Sequence, residues 1–189
     1  HVVTRRQRQM CIRDSGCLYL ETYTIGAPPA VTANADITDL LCYNTCTGVI
    51  NSTFNNVQEA PTYTWTNTAG EVIGNGLELL DLCAGEYTVI IEHGPGCQDE
   101  FSYTVTQPDS LYIEIELSLY DNGYNVSSYA GQDGDIFTDV QGGTPDYSWE
   151  WDGPIEIDDD ESYPLDLVAG AYNLLVTDAN GCVIDTLII

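Results

Sequence analysis

Apolar and polar residues alternate along most of this chain. The segments "YTVII" (87–91), "FSYTVT" (101–106), "LYIEIEL" (111–117) and "YNLLVT" (172–177) place apolar, aromatic or β-branched side chains at every second position or in short runs. That is the period of a strand with one or both faces buried. Gly, Pro, Asn and Asp clusters separate these segments at short intervals, and no convincing helical segment is present. The pattern predicts strands near 31–41, 48–54, 61–67, 77–82, 86–92 and 98–106, and again near 110–118, 134–140, 145–151, 164–167, 171–177 and 183–189. Short strands at this density define an all-β fold of antiparallel β-sandwiches.

The two groups of strands carry one message twice. "LDLCAGEYTVIIEHGPGC" (80–97) aligns without gaps on "LDLVAGAYNLLVTDANGC" (165–182), and upstream "PTYTW" (61–65) aligns on "PDYSW" (145–149). Each copy is about 80–85 residues long, the size of a domain and too long for a solenoid unit. A third, partial copy stands in front, where 16–37 matches 96–117 and Cys17 and Pro28 fall on Cys97 and Pro108. The expected organisation is residues 16–27 as the last strand of a preceding repeat or a donor strand, 28–108 as repeat one and 109–189 as repeat two. Either the chain is a piece of a longer array, or the front strand 18–25 completes a neighbouring molecule. Within each repeat, Trp65 and Trp149 are expected to anchor the core. Gly85 and Gly170 are expected to turn the chain tightly, and Tyr87 and Tyr172 to be sandwich-corner tyrosines.

Charge divides the chain sharply. All four Lys and Arg residues (Arg5, Arg6, Arg8, Arg13) lie in residues 1–15, and removing Asp14 from the 30 acidic residues leaves 29 for the rest. Residues 1–15 are therefore expected to be foreign to the fold, as translated adapter sequence or a basic arm. So acidic a body cannot hold a phosphate backbone, which excludes nucleic acid as a partner. Anionic membrane surfaces repel it too, and no apolar run approaches the ~20 residues that span a bilayer.

The motifs "GGTPDYSWEW" (142–151) and "LDLVAGAYNLLVTDANGC" resemble the SprB-like repeat of Bacteroidota cell-surface proteins. The matching residues are Gly142, Gly143, Thr144, Pro145, Tyr147, Trp149, Ala169, Gly170, Tyr172, Thr177, Asp178, Gly181 and Cys182. Repeat one departs from the pattern, with "QEAPTYTW" in place of the Gly pair and "EHGPGC" in place of "TDANGC". The resemblance implies tandem immunoglobulin-like modules in large secreted adhesins, often exported by the type IX route and linked to gliding or attachment. It implies no catalytic residue. The expected function is thus an extracellular structural or adhesive module, partnered by neighbouring copies of itself or adjacent repeats, with strand exchange as one mode of assembly. The alternative is a carbohydrate-binding module for a polysaccharide.

An extracellular setting makes disulfides the natural reading of Cys42, Cys46, Cys83, Cys97 and Cys182. In an immunoglobulin-like order Cys83 lies at the same end of the sandwich as Cys42 and Cys46, and Cys97 at the opposite end. Cys83 is expected to pair with Cys46 or Cys42, and the thiol left over faces Cys182 of repeat two. Buried free cysteines are the alternative.

Other chemistry is sparse. His93 is the one His beyond His1 and is expected to be a turn residue of a hairpin. Asp158, Asp159 and Asp160, or Asp133 and Asp135, are the candidate Ca²⁺ ligands, because hard cations need several oxygens together. The D-[S/T]-apolar triplets make Ser110 and Thr186 candidate O-glycosylation sites, and "NST" and "NVS" place Asn51 and Asn125 in N-glycosylation sequons.

Overall fold

The computed structural model describes residues 3–5 (backbone only), 23–58, 60–94 and 96–189. Among them every regular element is a strand. β1 (Val3–Arg5) and β2 (Tyr23–Ile25) form a short antiparallel ladder of their own. Residues 16–22, which begin the expected front strand, lie outside the described residues, as do Cys11 and Cys17. The segment expected to be foreign to the fold thus supplies β1, and β1 pairs with β2.

Repeat one is built from two sheets. One has the order β3 (Thr32–Thr38), β4 (Gly48–Asn55), β7 (Glu78–Leu82). The other has the order β6 (Val72–Gly74), β5 (Thr62–Asn67), β8 (Gly85–His93), β9 (Cys97–Val105). All pairs are antiparallel. The first, second and fifth strands forming one sheet, and the rest the other, is immunoglobulin-like topology. β8 shows why the sequence folds so: its inward set Tyr87, Val89, Ile91 and His93 is buried, and the residues between are more exposed. Tyr87, Val89 and Ile91 meet Ile50, Trp65, Leu79, Leu82 and Val105 to form the core between the sheets.

Repeat two follows the same plan. β10 (Tyr112–Leu117) pairs with β12 (Ile136–Gln141), and β11 (Gln132–Gly134) with β14 (Leu167–Val168). The facing sheet has the order β13 (Tyr147–Asp152), β15 (Tyr172–Asp178), β16 (Val183–Ile188). The strand expected at 164–167 is displaced. Its neighbours reach β12 through separate bonds, the Ile136 amide to the Pro164 carbonyl (3.1 Å) and the Thr138 amide to the Ser162 carbonyl (3.3 Å). Pro164 stands where repeat one has Leu79, and it has no N–H to continue a ladder.

Two expectations change at this level. Trp65 is fully buried and its indole N–H donates to the Gly76 carbonyl (2.9 Å). Trp149 is only half-buried, with its N–H on Thr138 Oγ1 (3.1 Å). The tight conformation near the corner belongs to the repeated Asp and not to the repeated Gly: Asp81 and Asp166 have φ of 54° and 57°. Asp81 lies where the β4–β7 register shifts, so it makes a bulge that re-aims the strand. A Cβ on Gly170 would collide with the Pro154 ring, whereas one on Gly85 would meet nothing, so nothing in the structure explains Gly85.

The corner tyrosines are in place. Tyr87 OH donates to the Cys83 carbonyl and Tyr172 OH to the Val168 carbonyl, both at 2.8 Å and both four residues upstream. Each Tyr→Phe change is expected to cost about 1 kcal/mol in urea unfolding. Burial pushes both phenols above 10.0. A raised folded pKa means that the stabilisation is complete below pH ~10, where the unfolded phenol ionises, and is lost as pH rises through the folded value. An alkaline melting series should therefore fall above pH ~10, less steeply in the Tyr87→Phe, Tyr172→Phe double variant.

Candidate functional site: the junction between the repeats

Of the residues that the repeat motif singles out, Gly142, Gly143, Thr144, Asp178 and Cys182 gather where repeat one meets repeat two, whereas Ala169, Gly170 and Tyr172 lie at the other end of β15. The linker leaves β9 held at both sides. The Leu40 amide donates to the Thr106 carbonyl (3.0 Å), the Thr106 amide to Asp39 Oδ1 (2.6 Å), and the Asn44 amide to Gln107 Oε1 (2.9 Å). Beyond Pro108, the Gly143 amide donates to the Asp109 carbonyl (2.9 Å). Gly142 has φ of 73°, and a Cβ there would strike the Ser110 carbonyl. The Gly pair thus lets the linker lie directly on the connection between β12 and β13.

Asp178 organises the other side. It is 5% exposed at the end of β15. Its Oδ1 accepts from the amides of Asn180 and Cys182 (both 2.9 Å), and its Oδ2 from the amide of Thr144 (2.8 Å). One carboxylate therefore holds the β15–β16 turn and the Gly142–Thr144 loop together. Asn180, presented by that turn, donates to Thr144 Oγ1 (2.9 Å) and to the Leu41 carbonyl of repeat one (3.1 Å). Next to it a disulfide joins Cys42 to Cys182, with Cα atoms 5.6 Å apart. Asp178→Ala leaves three amide donors without an acceptor and is expected to cost repeat two about 3 kcal/mol by urea unfolding.

The second disulfide, Cys46–Cys83, ties the β3–β4 connection of repeat one to the turn before β8. The expectation left Cys83 open between Cys46 and Cys42. The structure gives it Cys46 and turns Cys42 toward repeat two. Cys97 is free and exposed.

At the other end of repeat one, His93 takes the position of Asp178. It is not a turn residue but the last inward-facing residue of β8, 6% exposed. Its Nε2 is 2.7 Å from Asp99 Oδ2, and its Nδ1 accepts from the Gln58 amide at 3.4 Å. Both ring nitrogens are thus engaged, neither with a nucleophile. The strand runs one residue past the expected end at 92, and alternation then carries His93 inside.

The remaining candidate residues do not converge. Asp158, Asp159 and Asp160 lie exposed on the loop after β13, and Asp160 Oδ1 accepts from the Trp149 amide (3.3 Å). Asp133 Oδ1 accepts from the Ser127 amide (3.0 Å), and bonds from Ser127 hold its carboxyl below the usual carboxylate range. The Asp135 amide donates to Ser118 Oγ (3.0 Å). Among the described residues no three His, Cys, Asp or Glu side chains are grouped to hold a metal ion. Ser110 is exposed in the linker and Asn51 is exposed on β4. The Asn125 side-chain nitrogen, which a glycan would occupy, already donates to the Ser118 carbonyl (2.7 Å). Thr186 pairs with buried Leu174 and shares the inward face of β16 with Ile184 and Ile188, so a glycan there would have to point toward the core.

No protein-family model and no curated protein sequence matches the chain. Solved structures similar to it include the two-module crystal structure of DIP-gamma IG1+IG2 (10% identity, TM-score 0.41, covering 85% of this chain and 96% of that one). Another is the C-terminal 282-residue fragment of intimin in complex with the intimin-binding domain of the translocated intimin receptor (16% identity, TM-score 0.41, covering 82% of this chain and 64% of that one).

Proposed function

We propose that the chain is a segment of an extracellular structural and adhesive repeat protein, of the SprB-like kind, displayed on a bacterial surface or in a fibre. The observation that carries this reading is the disulfide-closed junction. A bridge from Cys42 to Cys182 persists only where thiols stay oxidised, and fixing one module upon the next serves a protein that works by its reach. The absence of Lys and Arg from residue 16 onward fits the same setting, because a uniformly acidic body repels its neighbours and stays soluble. Antibody labelling of intact source cells tests the proposal. Label on unbroken cells is expected, and label confined to lysed cells would overturn it.

Strand exchange is a finer form of the same proposal. Residues 16–27 repeat the sequence of β9 and its exit, so they would fit as an added strand on the open edge of another copy. Negative-stain images of the chain with and without 16–27 decide this form: filaments lost on deletion support it, and monomers in both end it.

A polysaccharide-binding role is the second reading. It is favoured by the loop between β10 and β11, where the exposed rings of Tyr124 and Tyr129 border a groove shared with Asn122, Gln132 and Val168. Exposed rings beside amides are a common surface for sugar faces. A glycan array showing a binder that is lost in Tyr124→Ala would support it, and an array without a binder would count against it.

A further inference from the structure

Cys97 and Cys182 occupy one position in two copies of the same hairpin. In repeat one the ladder of β8 and β9 places Glu92 opposite Gln98 and His93 opposite Cys97. In repeat two Thr177 lies opposite Val183, and the Asp178 amide donates to the Cys182 carbonyl (2.9 Å). The residue pairs correspond one for one. Cys182 at this position is bonded to a cysteine on the β3–β4 connection of the repeat before it. Cys97, at the end of repeat one away from repeat two, is exposed and unbonded.

The framework behind the cysteine is also shared. In repeat two the Thr144 amide donates to Asp178, and in repeat one the Gln58 amide donates to His93 (3.4 Å), which Asp99 holds from the other side (2.7 Å). Each hairpin turn is thereby tied to the segment before its β5-type strand, and the cysteine stands on a braced support. Linker and turn also lie at the same end of each repeat: the segment before β3 reaches repeat one through the Asn56 side chain, which donates to the Ala30 carbonyl (2.9 Å).

We propose that Cys97 is the docking cysteine for a preceding module of the same kind. That module would seat its own β3–β4 connection, with a cysteine at the position of Cys42, on the β8–β9 end of repeat one. The inference rests on the repeat-array reading and extends it: both junctions of repeat one are closed by one rule, from the connection of a leading module to the hairpin of the next. Two thiols lose two protons and two electrons as the S–S bond forms. A disulfide oxidant, such as oxidised glutathione, takes both and leaves as two thiols. Repeat two has no cysteine between β10 and β12, so its own far end cannot make this bond with Cys97 of another copy.

The test adds a module in front of residues 28–189. A copy of residues 28–107 carrying Cys97→Ser is fused ahead of residue 28, equilibrated in a glutathione redox buffer, and its non-reduced peptides are mapped. The expected result links the added copy's Cys42 to Cys97, with both cysteines at least tenfold less alkylated than either is once the other is replaced by Ser. Both remaining alkylatable while Cys42–Cys182 stays bonded would overturn the proposal, as would Cys97 bonded to Cys11 or Cys17 in the unmodified chain. If the added copy fails to form its own Cys46–Cys83 bond, the unfused chain with Asn122→Cys decides, in a Cys11→Ser, Cys17→Ser background. Covalent head-to-tail oligomers that vanish with Cys97→Ser support the proposal. Oligomers no more abundant than those from an outward-facing Asp185→Cys control refute it. Surface labelling is a separate readout, so failure here and failure of the array reading are distinguishable.

Discussion

Trp65→Ala is expected to lower the stability of repeat one by about 4 kcal/mol, whereas Trp149→Ala should cost repeat two about 2 kcal/mol, each read from urea unfolding. The two residues align in sequence, so the difference is a statement about packing. Trp65 is 0% exposed, lies between the sheets with Val89 opposite it, and donates its N–H to the Gly76 carbonyl. Its removal leaves a cavity and takes the donor from the half-buried Gly76 carbonyl. Trp149 keeps part of its ring in solvent, and its N–H rests on the Thr138 hydroxyl, whose own proton stays on the Ser162 carbonyl (2.8 Å) when the indole is removed. Equal losses for the two variants would mean that repeat two packs as tightly as repeat one.

Breaking the Cys42–Cys182 bridge by a Cys42→Ser, Cys182→Ser double change is expected to be the larger effect on the whole chain. The bridge spans 140 residues of sequence, and chain-entropy arguments give about 5 kcal/mol for closing a loop of that size. The change should also free the second module to move about its linker while leaving the strands intact. Circular dichroism at low temperature should be unchanged. Small-angle scattering should show a broader range of maximum dimensions, and urea unfolding should resolve into two transitions. Asn180→Ala, which removes only the tether to Leu41 and Thr144, should shift the scattering in the same direction by less. A double variant as rigid as the parent would show that the linker bonds of Thr106, Gln107 and Asp109 are sufficient.

Much of the fold was legible because strand alternation is a local property. The inward set of β8 is written in "EYTVIIEH", and the expected limits of β4, β5 and β7 fall within a residue of those observed. The three-residue β6 was missed, since "VIG" is too short to show a period. The bulge at Asp81 was missed for another reason: a left-handed Asp looks like any polar residue on a strand, and only its recurrence at Asp166 marked it. The junction was half legible. The sequence left Cys83 between two partners, and a thiol left over facing Cys182, because pairing depends on where loops lie in space. Asp178 was visible as a motif residue but not as the acceptor of three amides. The signal that could have found it is the company it keeps, a Gly pair upstream and a tight turn to Cys182 downstream. His93 shows the same limit. One residue of extra strand changes a loop side chain into a buried one.

The junction is pinned at two separate points, the chain itself at Asp109–Gly143 and the bridge at Cys42–Cys182. A joint with a single pin swings, and one with two passes a bending moment across. In a row of such joints, a sideways load on one end becomes torque at the other.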